Sequence, residues 1–307
     1  MKIYLNKPKE SWVVDRFVDE WSSFNKSLTT KNILSSDIIW IISPWTWKKV
    51  NKTLLRNKTV LCTIHHIDEE KFDSNAKENF KNLDKYVDYY HTISDSTREQ
   101  VSQLTQKPIF KIPFWVNQNI WYEIEDKISL REKYSLDVNS FYIGSFQRDT
   151  EGHDLTSPKL SKGPDQFFEI VSEFFKKDTS TVAILTGKRR QYLIEKFETN
   201  KIPYKYFEMV DFKKLNDLYN CLDLYIVASR TEGGPQSILE TSLTRTPLIS
   251  TNVGIAKEIL HPESIFTLKN FFDAKPNINY AYQNTKCLTL PEGFIEFIKM
   301  FEEINES

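Results

Sequence analysis

The stretch Ser229-Arg230-Thr231-Glu232-Gly233-Gly234-Pro235-Gln236-Ser237-Ile238-Leu239-Glu240 sets turn-forming, helix-starting and acidic residues in an order that suits anion binding. It directly follows an apolar run, Leu224–Ala228, which reads as a strand buried on both faces. Gly233 and Gly234 permit a tight turn and close approach of a ligand, and Pro235 suits the first helical position. The amides of Gln236, Ser237 and Ile238 would then sit at a helix N-terminus, where unbonded N–H groups and the helix dipole favour a phosphate. Glu240 falls about one and a half turns further on. A carboxylate there is a poor phosphate ligand but a good acceptor of two hydrogen bonds from a ribose diol. Ile238, Leu239 and Leu243 supply the packing face.

Such a site needs a strand end beside a helix start, and short apolar runs alternate with helical patterns along the whole chain. The spacing predicts strands at Lys2–Leu5, Ile38–Ile42, Val60–Ile64, Tyr89–Ile93 and Ile109–Ile112 in the first half. In the second half it predicts them at Tyr142–Phe146, Val182–Thr186, Tyr206–Met209, Leu224–Ala228 and Leu248–Thr251. Several are continuously apolar rather than alternating, as in a parallel sheet covered on both faces. Helical segments such as Ser96–Leu104, Pro164–Phe175 and Phe212–Cys221 lie between them, which predicts an α/β architecture with right-handed crossovers. The pattern breaks at Pro113–Glu125, where Trp115, Asn117, Asn119 and Trp121 form a strand-exit loop ahead of a helical Ser129–Tyr134. A domain boundary near residue 115 follows. Two doubly wound domains joined there would face each other across a cleft between the carboxyl ends of their sheets.

A length of 307 residues suits two such domains, and 40% hydrophobic with 27% charged residues excludes a disordered chain. The net charge of −1 gives no reason to expect nucleic acid as a partner. Residues 1–60 nevertheless carry eleven Lys/Arg against five Asp/Glu, a surplus of six. Cys62, Cys221 and Cys287 form no CxxC pair and have no zinc-like His spacing, which argues against disulfides or a metal site and fits a reducing cytosol. No apolar run is long enough to span a bilayer and no signal-peptide pattern opens the chain, so a cytoplasmic location is expected.

At Ser229–Glu240 the chain resembles the retaining glycosyltransferases of the GT-B fold, specifically family 4, the group 1 family. Their signature is a Glu, seven residues and a second Glu, here Glu232 and Glu240. Upstream, Leu215–Tyr225 looks like that family's helix-to-strand lead-in, and downstream Thr246–Glu258 looks like its next strand and turn. The resemblance implies two Rossmann-like domains: 1–115 on the acceptor side and 116–290 binding the nucleotide sugar. Residues 291–307 would form a helix crossing back to the first domain, with Phe294, Phe297 and Phe301 as its apolar stripe. It further implies a hexosyltransferase-like enzyme that moves a sugar from a nucleoside diphosphate sugar to a hydroxyl of a glycan, lipid-linked or other acceptor, with retention.

Family members also carry a basic residue after the first strand of the C-terminal domain and a Lys-Gly opening the next helix. Arg148 and Lys162-Gly163 take those places, within a segment from Gln147 to Gly163 that is longer than usual for the family. Two cations there, with Gly233, Gly234 and the amides of Gln236, Ser237 and Ile238, would hold the diphosphate and neutralise the leaving group, so neither metal nor other cofactor is expected. Glu240 would hold the ribose. Glu232 would face the sugar, as would a histidine at the end of Thr63-Ile64-His65-His66-Ile67-Asp68. Neighbours on a strand point to opposite sides, so one of His65 and His66 can do so. His65 takes the family's place; a histidine hydrogen-bonded in the core is the other reading.

The family usually has a glycine-rich loop after its first strand, whereas Asn6-Lys7-Pro8-Lys9-Glu10-Ser11-Trp12 contains no glycine. This keeps two other readings open: a sugar-nucleotide epimerase or hydrolase of the same fold, and a non-catalytic partner that binds nucleotide sugars. Base selection is expected around Gly187 and Val210–Phe212. Finally, residues 45–58, if helical, place Trp47, Val50 and Leu54 on one stripe flanked by basic residues. That pattern suits peripheral contact with the inner membrane face, and equally an ordinary amphipathic crossover helix.

Overall fold

The structure, a computed structural model, describes residues 1–10 and 13–307; Ser11 and Trp12 of the glycine-free loop lie outside the described residues. In chain order the first elements are β1 (Ile3–Leu5), α1 (Val13–Phe24), β2 (Ile38–Ile41), α2 (Lys52–Asn57), β3 (Thr59–Ile64), α3 (Ser74–Asp84), β4 (Tyr89–Thr92), α4 (Asp95–Ser102) and β5 (Ile109–Lys111). There follow α5 (Lys127–Lys133), β6 (Phe141–Ser145), α6 (Pro164–Lys177), β7 (Thr181–Thr186), α7 (Gln191–Thr199), β8 (Tyr204–Phe207), α8 (Phe212–Cys221), β9 (Leu224–Val227), α9 (Gln236–Leu243), β10 (Leu248–Thr251), α10 (Ala256–Ile259), β11 (Ile265–Phe266), α11 (Ile278–Lys286) and α12 (Ile295–Glu306). The chain forms two compact units, Met1–Trp115 with Pro291–Ser307, and Val116–Leu290.

In the first unit β1 to β5 lie side by side in sequence order, all parallel. Alternation along β2 sends its side chains to two cores. Ile39 and Ile41 join Leu55, Phe80, Leu83 and Val101 on the face covered by α2, α3 and α4. Trp40 points the other way, 5.7 Å from Trp21 of α1 and 5.6 Å from Phe297 of α12. Phe294 and Phe301 join the same layer against Trp115 and Trp40. Helices therefore cover both faces. β1 also bridges to Thr29 on the edge away from β2, so the chain leaving α1 steps outward before crossing, which lets a helix on this face keep the usual right-handed sense. A polar thread crosses the aromatic layer: Trp40 Nε1 donates to Thr63 Oγ1 at 2.8 Å, and Thr63 lies 3.0 Å from His91 Nδ1. His91 Nε2 donates to Ile112 O at 2.8 Å, and burial holds this imidazole neutral, its pKa lowered to about 3.

Residues 45–58 are not one helix. Pro44–Lys49 forms a short 3-10 helix, Val50 and Asn51 are extended, and the Asn51 side chain then caps α2 through Thr53 N. Trp47 and Val50 are buried in the core and Leu54 packs against it partly buried, so the apolar stripe read from the sequence faces the first unit's own core.

The second unit is a six-stranded parallel sheet in the order β11-β10-β9-β6-β7-β8. Phe167, Ile170 and Val171 of α6 and Leu193 and Phe197 of α7 pack on Ile143, Ala183, Leu185 and Ile226. Asp211 caps α8 by accepting from Lys214 N at 2.7 Å. The two-residue β11 has no counterpart among the predicted strands; at that length no periodicity exists to be read.

Candidate functional site

The strand order of the second unit reverses between β6 and β9, and in such sheets ligands bind outside the carboxyl ends of the strands at that switch point. Both segments singled out in the sequence leave from these two strands: Gly144–Arg148 ends β6, and Ser229–Glu240 follows β9. Cross-links hold the exits together. Phe146 N donates to the Tyr225 hydroxyl at 3.0 Å, and Gln147 Nε2 donates to Lys162 O at 2.9 Å and Ser229 Oγ at 3.2 Å. Arg230 N and Thr231 N both donate to Ser161 O, at 2.9 and 3.1 Å. The Arg230 guanidinium then clasps the Asp165 carboxylate through bonds of 2.7 and 2.6 Å.

Glycine makes this approach sterically feasible. Gly163 has a φ of +62°, and a Cβ built there would stand 1.7 Å from Ala228 O. Gly254, at φ +52°, likewise brings the loop after β10 against the motif, its Cβ position 2.2 Å from Gly233 O. Among the described residues, Gly163 and Gly254 are left-handed, whereas neither Gly233 nor Gly234 has a positive φ. One correction concerns the helix start. Pro235 precedes α9 at ψ 108°, not as its first residue, and Ile238 N donates to Pro235 O at 3.0 Å. The Ile238 amide is spent within the turn, which leaves Gln236 and Ser237 as the residues at the helix opening.

Lys162 and Glu232, expected to serve the leaving group and the sugar separately, form an ion pair with each other, and both side chains are largely buried. Ser229 Oγ donates to the same Glu232 oxygen at 3.3 Å. Arg148 is exposed on the loop leaving β6. Glu240 is 7% exposed and accepts from the Tyr219 hydroxyl at 2.9 Å. Burial and the Glu240 charge push the Tyr219 phenol well above its ordinary pKa, so it remains a donor. Tyr219 packs at a tilt against Phe146 and Tyr225, with ring centres 4.8 and 5.3 Å away, and so ties the carboxylate to both strand exits.

Two cations that complete this arrangement were not singled out in the sequence. Arg190 is fully buried and braces the ends of β6 and β7 by donating to the carbonyls of Ser145 at 2.8 Å, Thr186 at 3.2 Å and Gln147. Its Nε reaches Asp149 Oδ2 at 3.3 Å; burial lifts the Asp149 carboxyl to about 6 against that attraction. In sequence Lys188-Arg189-Arg190 reads as a charged turn, and the only clue was an acidic partner forty-one residues away. Lys159, at the far end of the long segment, is half-buried close to Arg148 and Lys162.

His65 belongs to the first unit, at the end of β3. Its Nε2 donates to Ile42 O at 2.8 Å, and its ring lies between Trp45 and Phe114, with centres 5.9 and 5.8 Å away. Burial lowers its pKa to about 4, so the imidazole is neutral, with Nδ1 unprotonated. His66 is exposed. Among the described residues, no group of three or more His, Cys, Asp or Glu side chains could hold a metal ion, and no helix is long and apolar enough to cross a membrane. All three cysteines are free, Cys62 and Cys221 buried and Cys287 exposed.

Two parallel sheets with alternating helices match the GT-B glycosyltransferase fold. Residues 155–272 match the family model of glycosyl transferases group 1. The fold is similar to that of HepE from Anabaena, solved in complex with UDP and glucose: TM-score 0.76, 12% identity, covering 98% of each chain. It is also similar to sucrose-phosphate synthase from Thermosynechococcus elongatus: TM-score 0.67, 14% identity, 97% of this chain and 80% of that one. A third likeness is to the pneumococcal O-GlcNAc transferase GtfA with UDP and GlcNAc: TM-score 0.62, 15% identity, 93% and 60%. Among curated proteins none matches this chain by sequence.

Proposed function

We propose that this glycosyltransferase moves a sugar from a nucleoside diphosphate sugar to an acceptor hydroxyl with retention at the anomeric carbon. The observation that supports it most is the meeting of both motif segments at the β6/β9 switch point, where Lys162 of one pairs with Glu232 of the other. In this reading Glu240 accepts from the ribose diol while Tyr219 holds it in place. Arg148, Lys162 and the amides at Gln236 and Ser237 receive the diphosphate, beside the backbone of Gly233 and Gly234. Glu232 faces the sugar, as does neutral His65 in the role the family resemblance implies for it. Charge that develops on the leaving diphosphate meets fixed cations and amides, which stabilise it without a metal. An acceptor carried on a lipid would be met at the inner membrane face through exposed Lys48, Lys49, Lys52 and Arg56, since Trp47 and Val50 are core residues and Leu54 packs against that core.

Incubation with a panel of UDP- and GDP-sugars tests the reading, with free diphosphate and sugar products followed together. Transfer or slow hydrolysis with retained anomeric configuration supports it. Isomerised sugar nucleotide would favour the epimerase, and an unchanged donor pool a binding partner. Glu240→Gln gives a sharper check, because the amide oxygen still accepts from Tyr219 while the charge is lost. Donor KM is expected to rise about tenfold with kcat changed less than about threefold, as for uniform binding lost far from the reacting bond. A fall in kcat at constant KM contradicts the ribose role.

A further inference from the structure

The segment between β6 and α6 is an anchored excursion. Thr150 and Pro158 pair as an antiparallel bridge, Glu151 N donates to Ser157 O at 2.9 Å, and Lys159 N donates to Asp149 O at 2.8 Å. Its two ends are pinned separately. Asp149 is held by buried Arg190, and Ser161 by the N–H groups of Arg230 and Thr231. The chain therefore returns to the site at a fixed place, and the first residue after the bridge is Lys159. Its ammonium is half-buried and has no hydrogen-bond or ion-pair partner among the described residues. It lies close to two further cations, Arg148 and Lys162. Against these three stand Glu232, paired with Lys162, and Glu151, which leaves a net positive cluster that suits an anion.

We propose that Lys159 is a third cation of the donor diphosphate site, delivered there by the 150–158 excursion. The inference rests on the donor reading above and extends it to a residue outside the family-like motifs. It has a consequence for pH dependence. Burial, then Arg148 and Lys162, lower the Lys159 pKa to about 8, while Glu232 and Glu151 oppose the shift. A bound diphosphate stabilises the charged form. Below about pH 8 the free protein already carries the proton and affinity is full; above it, binding must take up a proton, so affinity falls as pH rises.

Calorimetry of the whole protein with UDP and with GDP tests this, using Lys159→Met, Lys159→Arg, Arg148→Ala and Lys162→Ala. Lys159→Met is expected to weaken the better-bound diphosphate about tenfold at about pH 7, and Lys159→Arg to restore it within about threefold. The fall in affinity of the unmodified protein between about pH 7 and about pH 9 should vanish in Lys159→Arg, whose guanidinium does not titrate there. If Arg148→Ala and Lys162→Ala weaken binding but Lys159→Met does not, Lys159 is no ligand and the donor reading stands. If neither diphosphate binds the unmodified protein, both are overturned.

Discussion

Glu232→Gln is expected to lower kcat about a hundredfold or more while tightening the binding of free nucleoside diphosphate about threefold to tenfold. The two halves have one cause. In the ligand-free protein the Lys162 ammonium is committed to Glu232, and both lie largely out of water. A diphosphate must compete for that cation. An uncharged amide at 232 removes the competitor, so the free diphosphate gains. In the proposed arrangement the sugar loses the carboxylate it would meet during transfer, so turnover drops. Steady-state kinetics and a titration with the cognate diphosphate check the two together. Unchanged kcat, or weaker diphosphate binding, contradicts the pairing of roles.

The second large effect falls on Gly163. An alanine there must keep a left-handed backbone, at φ +62°, and force a methyl to within 1.7 Å of Ala228 O. Neither a rotamer change nor a small side-chain shift relieves a backbone clash, so the start of α6 and the exit of β9 have to separate. The expected loss is about 3 kcal/mol or more of stability, and with it the contacts of Arg230 to Asp165 and Ser161. Denaturant unfolding measures it directly. A variant as stable as the parent, with full diphosphate binding, would show that the close approach is dispensable.

Much of this site was legible because its parts are local. A strand, a turn and a helix opening from Leu224 to Glu240 can be read from adjacent residues, as can the Lys-Gly that begins α6. Ten strands were visible for the same reason, each being a compact apolar run between polar turns. The stripe Phe294, Phe297 and Phe301 declared a face in need of a partner, and Trp21, Trp40 and Trp115 provide it. What failed to show depended on distance or on backbone detail. Arg190 serves Asp149, Ser145 and Gln147 from another loop, and nothing local distinguishes it from its solvated neighbours Lys188 and Arg189. Lys159 gains its meaning only because the excursion folds back on itself. The Ile238 amide looked available because a one-residue shift in where α9 begins, set by the ψ of Pro235, cannot be read from residue type. At 45–58 the periodicity was real, but Asn51 supplied a new helix cap in its middle, and the apolar residues went to the core.

The most direct test of the donor site is amide-resolved NMR of the protein titrated with nucleoside, nucleoside monophosphate and nucleoside diphosphate of uracil and guanine. The account predicts that the diphosphate of one base binds much more tightly than its nucleoside, and that the largest shifts fall on Gln236, Ser237, Lys162, Gly163 and Glu240. Shifts confined to residues remote from the β6 and β9 exits, or equal affinity for nucleoside and diphosphate, would contradict it.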